Sequence, residues 1–182
     1  MSKVLAPLLA ASALLLIPLD ALAIEGELTL GLGPAYADLP TLGEEGQSGF
    51  GGAIFAQVQL DTFWAITAGS TLSYHLSDKK AELPGQRITS LWAGAIYNLD
   101  VFTYVPFFSL ALTGYLADPD LKDPDGQSAD AGAKIGFGVD WRRYRTWSLG
   151  AEVNVHAFIT DLETYPVFLT TLIRLNYHIE LF

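Results

Sequence analysis

The chain has 182 residues, 51% of them hydrophobic and 16% charged, with 20 acidic against 10 basic side chains and no cysteine. A net charge of −10 argues against a phosphate-binding surface, which needs clustered Lys and Arg, so no nucleic-acid partner is expected. Disulfide frameworks, thiolate metal sites and thiol nucleophiles are excluded, and the charged fraction lies well below the about 25% of an ordinary soluble domain.

Residues 1–23 read as a secretory signal peptide. Lys3 supplies the positive start, Val4 to Leu19 the apolar stretch, and Ala21-Leu22-Ala23 the small residues that signal peptidase reads. The expected mature chain, residues 24–182, is a single domain. It holds no second apolar run of the ~18 residues that a transmembrane helix needs.

Beyond the leader the chain has period 2, the periodicity of a strand whose faces meet different surroundings. Leu28, Leu30, Leu32 and Tyr36 alternate with Glu27, Thr29, Gly31 and Gly33. Phe50 to Leu60 continues the pattern, with Ile54, Ala56 and Val58 set against Phe55, Gln57 and Gln59. Next, Trp64, Ile66, Ala68, Leu72 and Tyr74 oppose Ala65, Thr67, Gly69, Thr71 and His75. Thr89 to Leu99 and Thr103 to Leu116 are apolar on both parities, which leaves the facing of the fourth and fifth strands open. In Gly132 to Arg142, Ile135, Phe137 and Val139 alternate with Lys134, Gly136, Gly138 and Asp140. Thr146 to Phe158 sets Trp147, Leu149, Val153 and Val155 against Ser148, Glu152, Asn154 and His156. The last segment sets Leu169, Ile173, Leu175, Tyr177 and Ile179 against Thr170, Arg174, Asn176, His178 and Glu180. Strands of soluble proteins usually run about 5–6 residues, whereas a tilted membrane strand needs about 9–11, and these runs match the longer class.

The connections alternate in length. Ala37 to Gly49, Ser77 to Gln86 and Ala117 to Ala131 are long, Ile159 to Thr164 is medium, and Asp61-Thr62, Asn98 to Val101 and Arg143 to Arg145 are short. That rhythm, with aromatics such as Tyr36, Phe50, Trp64, Tyr74, Tyr97, Tyr104, Tyr144, Trp147 and Tyr177 near strand ends, predicts an all-β fold. The fold expected is an eight-stranded antiparallel up-and-down transmembrane β-barrel, with short periplasmic turns and longer outside loops.

The chain resembles the small eight-stranded outer-membrane barrels of the OmpA/OmpX-like and OmpW-like group. Tyr97-Asn98-Leu99-Asp100, Val105-Pro106-Phe107 and Gly114-Tyr115 look like that group's tight turn and Pro-aromatic strand. Phe182 stands where such barrels carry the terminal aromatic read by the barrel-assembly machinery, although here it falls on the polar parity. The resemblance implies a Gram-negative outer-membrane location, with outer-membrane lipid and the barrel-assembly machinery as partners.

An eight-stranded barrel is just wide enough for side chains to fill. Centring one turn on Tyr144 sets Lys134 opposite Asn154 and diagonal to Glu152. Centring the next loop on Leu162 sets Glu152 opposite Leu172 and diagonal to Arg174. A lumenal polar network of Lys134, Glu152 and Arg174 is therefore expected, as a structural plug rather than a gate, since buried charges must be paired. His75 and His156 are expected high in the barrel and His178 low, too dispersed for a metal. Lipid hydrolysis would need Ser, His and an acid within reach. His156-Ala157-Phe158 lacks the Ser, and His75-Leu76-Ser77 lacks a nearby acid. The Asp118 to Asp130 segment reads as a solvated acidic loop, and Arg142, Arg143 and Arg145 as a solvated turn. The function expected is a structural or interaction component, or an anchor within an envelope complex, without catalytic activity or cofactor. The alternatives are a passive conduit for small hydrophobic molecules, with Phe55, Phe107, Phe158, Phe168 and Leu172 inside, and a lipid A-modifying enzyme.

Overall fold

The structure is a computed structural model that describes residues 26–39, 47–75, 85–99, 103–118, 128–158 and 167–181. The expectations for the 1–23 leader, for the tips of the long loops and for Phe182 lie outside the described residues. Among the described residues no helix is long and apolar enough to cross a membrane. The elements are strands β1 (Glu27–Leu39), β2 (Gln47–Gln59), β3 (Trp64–His75), β4 (Gln86–Asn98), β5 (Tyr104–Asp118), β6 (Ser128–Trp141), β7 (Trp147–Phe158) and β8 (Phe168–Glu180). Each pairs antiparallel with its sequence neighbours, and β8 pairs with β1, so the sheet closes into a barrel of eight strands.

The strands reach further than the hydropathy pattern. The first long connection shrinks from Ala37 to Gly49 to residues 40–46, and the third from Ala117 to Ala131 to residues 119–127. Polar residues continue the ladder there, as Asp38 pairs with Ser48 and Ala117 with Ser128. Backbone pairing, not side-chain hydropathy, sets where a ladder stops. At the opposite end the turns are short, and Asp61 accepts hydrogen bonds from the amides of Phe63 and Trp64, both at 2.8 Å. A short acidic side chain that caps its own turn in this way is a local reason for reversal.

The register settles the two ambiguous strands. In β4, Ile88, Ser90, Trp92 and Ile96 are buried and Leu91 is exposed. In β5, Phe107, Ser109, Ala111, Thr113 and Tyr115 point inward while Phe108, Leu110, Leu112 and Leu116 point outward. Both faces are apolar because the lumen holds large rings of its own. Outside, Ile54 is 65% and Leu112 74% exposed. A continuous band of such residues would be insoluble in water and is what lipid solvates. Aromatic rings border it at both ends. Tyr36 and Phe50 meet edge to face at 5.3 Å near the long loops. Trp64 packs on Tyr97 at 5.0 Å and Tyr144 stacks on Trp147 at 4.5 Å near the short turns.

One residue that shares the polar parity of β8 with the inward side chains does not face the lumen. Glu180, the last residue of β8, is exposed and pairs with Arg145 at 2.6 Å on the short-turn rim. At a strand end, water reaches both faces, so parity no longer decides burial.

Val153, in mid-β7, faces outward. Val153→Arg is expected to destabilise the barrel by about 2–4 kcal/mol, whereas Val153→Leu should be tolerated. Urea titration of barrels folded into lipid vesicles measures the difference, and equal stability of the two variants would show that this face does not meet lipid.

Candidate functional site

The lumen is layered. Towards the long loops, Leu39, Ile88, Tyr115, Phe158 and Phe168 form a buried apolar cluster. The imidazole of His156 lies among them, 2.9 Å from the Tyr115 hydroxyl and 3.0 Å from that of Thr170. His75 sits 3.1 Å from Ser73 Oγ and 3.4 Å from the Gln47 carbonyl. Rings therefore close that end, and each imidazole is satisfied by neutral partners.

The middle layer is charged. Lys134, Glu152 and Arg174 are each at most 4% exposed. Lys134 Nζ lies 3.6 Å from Glu152 Oε1 and Arg174 Nη1 lies 3.2 Å from Glu152 Oε2. Ser109 Oγ donates to the same carboxylate at 3.3 Å. A fourth member escaped the sequence reading as part of this group: Asp140 Oδ2 stands 3.6 Å from Arg174 Nη2. Two cations and two anions make a group with no net charge, which lowers the cost of keeping ions away from water. Aromatic faces hold the cations in place. The Lys134 ammonium lies 3.6 Å from the centre of the Trp92 ring. The Arg174 guanidinium sits between Phe55 at 4.5 Å and Phe107 at 4.3 Å. Each ring supplies a negative face to a desolvated cation.

The pairing that brings these groups together differs from the one read from the sequence. Lys134 is opposite His156, not Asn154, and Glu152 is opposite Gly138. The 142–146 turn pivots on Arg145 rather than Tyr144. A pivot moved by one residue shifts the partner by two, which preserves the facing of every side chain. The other half of the expected register stands, with Glu152 opposite Leu172. Lys134 still reaches Glu152 because Gly136 and Gly138 lie between them. A Cβ on Gly136 would collide with Ser109 Oγ and Asn154 Oδ1, so only glycine leaves room for the carboxylate.

The third layer, at the short-turn end, is polar and open. A cavity of about 270 Å³ lies there, lined by Glu27, Gln57, Asn98, Arg142, Ser148 and His178, among others. Glu27, on β1, joins two partners on opposite sides: Arg142, after β6, contacts Oε2, and His178 Nδ1, on β8, lies 2.9 Å from Oε1. The other nitrogen of His178 is 2.9 Å from Ser148 Oγ, which also accepts from Asn176 Nδ2 at 3.0 Å. No sequence motif announces this arrangement, because its members come from three strands at opposite ends of the chain. Among the described residues no group of three or more His, Asp or Glu is arranged to hold a metal ion.

Comparison with known proteins adds to this geometry. No protein-family model matches the chain, and no curated protein matches it significantly. Solved structures do. Neisserial surface protein A, NspA, superposes with a TM-score of 0.67 at 17% identity, over 86% of this chain and 99% of that one. Ail, the attachment invasion locus protein of Yersinia pestis, gives 0.64 at 12% identity, over 86% of this chain and all of that one (100%). OprG, an outer-membrane protein of Pseudomonas aeruginosa, gives 0.63 at 11% identity, over 85% and 96%. The fold is that of the small eight-stranded outer-membrane barrels.

Glu152→Gln keeps the side-chain volume but strands one positive charge, and losing one partner of a buried pair costs about 3–5 kcal/mol. Adding Lys134→Met restores neutrality, since Arg174 and Asp140 remain paired. The double variant is therefore expected to recover part of the loss in urea unfolding midpoint. A Glu152→Gln barrel as stable as the parent would mean that the carboxylate does not hold the layer together.

Proposed function

We propose that this barrel is a structural and interaction component of the outer membrane of a Gram-negative bacterium, holding or contacting other envelope components rather than conducting solutes. The observation that carries the reading is the filled lumen. The charged quartet spans its middle, and Phe158, Phe168 and Tyr115 pack above it. A conduit needs a continuous bore. The apolar residues that would favour passage of small hydrophobic molecules, Phe55, Phe107, Phe158, Phe168 and Leu172, are all packed, at most 7% exposed. The name of one structural relative, the attachment invasion locus protein, suits surface contact.

In this reading the leader is removed on export, and outer-membrane lipid and the barrel-assembly machinery are the partners in insertion. Both mature termini and the short turns face the periplasm. A cysteine at Tyr144→Cys should then resist a membrane-impermeant reagent on intact cells, and one at Glu45→Cys should react. The reverse pattern would invert the barrel.

Planar-bilayer recording of the purified barrel tests the central claim. No stable conductance is expected from the folded protein, and none from vesicles challenged with small apolar solutes. Cross-linking in intact envelopes should join the barrel reproducibly to one defined envelope protein. A steady open channel, or uptake of an apolar solute that depends on the barrel, would overturn the reading in favour of a conduit.

A further inference from the structure

We propose that Ser148, His178 and Glu27 form a hydrolytic site at the short-turn mouth, acting on a small ester that enters from the aqueous space beside it. This goes beyond the structural role above and is independent of it.

The arrangement follows from register. Ser148 on β7 lies opposite Asn176 on β8, which makes it a diagonal neighbour of His178. His178 lies opposite Thr29 on β1, which makes Glu27 its diagonal neighbour on the other side. Diagonal neighbours are about 7–8 Å apart at Cα, within reach of these side chains. The result is a hydroxyl 2.9 Å from one imidazole nitrogen and a carboxylate 2.9 Å from the other. Nδ1 also lies 3.1 Å from Thr29 Oγ1; with the Thr29 hydroxyl donating to Glu27, one proton arrangement satisfies every contact: Ser148 Oγ–H donates to Nε2, and Nδ1–H donates to Glu27 Oε1. That tautomer leaves Nε2 as the base and Oγ as the nucleophile. Arg142 holds the second carboxylate oxygen, and Thr29 Oγ1 donates to the first at 3.4 Å.

The two other histidines serve as internal comparisons. His75 and His156 are also buried and also touch hydroxyls, but their second nitrogens meet a carbonyl and a phenol. Satisfying a lumenal imidazole therefore does not require a carboxylate. Of the three histidines, His178 alone joins a hydroxyl to a carboxylate, and it alone lines the cavity. At about 270 Å³ the cavity falls below the ~300–1,000 Å³ of ordinary ligand pockets. Ser148, itself without exposed surface, lies at its wall. The cavity's volume selects a small acyl group.

In the step proposed, Ser148 Oγ attacks the ester carbonyl carbon while its proton passes to His178 Nε2. The carbon–oxygen bond to the leaving alcohol breaks, and His178 returns the proton to that oxygen. Water then attacks the acyl-serine with His178 again as base, releasing the acid and restoring the serine. Asn176 Nδ2 donates to Ser148 Oγ at 3.0 Å and so holds the hydroxyl in place. Glu27 is a positioning residue that fixes the ring.

The folded barrel in detergent is treated with diisopropyl fluorophosphate, and peptides are read by mass spectrometry. An adduct on Ser148 is expected in the folded protein and not in the boiled protein, together with slow turnover of p-nitrophenyl acetate. His178→Gln should slow both by about 100-fold or more, the usual range for a general base, and Glu27→Gln by about tenfold or more. Each variant is compared at matched folded fraction. No adduct on the folded wild-type protein, or labelling that His178→Gln leaves unchanged, overturns the proposal. If the variants do not fold, the wild-type adduct and turnover still decide it. Failure would leave the reading of the plugged lumen intact, since that rests on the charged quartet.

Discussion

In hydrocarbon an unpaired backbone amide or carbonyl has no water to turn to, so a sheet that crosses lipid must close on itself. The β1–β8 ladder meets that demand, and the rest of the structure depends on it. Closure at eight strands sets a lumen that side chains can fill, so the inward residues behave as a core rather than the lining of a pore. A core can hold ions only if they pair. The neutral quartet of Lys134, Asp140, Glu152 and Arg174 thus follows from the geometry of closure as much as from the sequence that supplies it.

Filling a narrow lumen also dictates where side chains must be absent. Lys134, Gly136, Gly138 and Asp140 all face inward on β6. The two glycines between the charged residues open the space into which Glu152 reaches from β7 and Phe107 from β5. Seen as strand propensity, glycines in mid-strand are a weakness. Here the closed ladder on both sides supplies the stability, and the missing side chains make room for a carboxylate and a ring. The same strand sends Ile135, Phe137 and Val139 outward into lipid. One sequence therefore serves two solvents at alternate residues.

That alternation explains how much was legible in advance. β1 to β3 and β6 to β8 could be read because their outer parity is bulky and apolar and their inner parity small or polar. β4 and β5 could not, since Trp92 and Phe107 put large rings inside and Leu91 and Phe108 put apolar groups outside. Hydropathy has no contrast to offer where the lumen is itself aromatic. The network of Lys134, Glu152 and Arg174 was accessible because facing survives a register error of two residues. Asp140 was visible as a lumenal residue but not as a partner of Arg174, since β6 and β8 are not adjacent and the two side chains meet over Gly150 of the intervening β7. The link from Ser148 through His178 to Glu27 was hidden more deeply. It requires knowing the register of β8 on both sides, including its pairing with the first strand of the chain.

The same dependence makes the short-turn layer different in kind from the other two. The quartet draws on β6, β7 and β8, which are consecutive, and its members can approach one another as those hairpins form. Glu27, however, meets His178 and Arg142 only when β1 has docked against β8. An open sheet carries Ser148, Asn176 and His178 in neighbouring registers but leaves the imidazole without its carboxylate. The arrangement of hydroxyl, imidazole and acid is thus a property of the closed barrel, absent from any unclosed intermediate. Its charged groups sit at the β1–β8 seam, so the closure that removes the exposed edge from lipid also completes the polar cluster at its mouth.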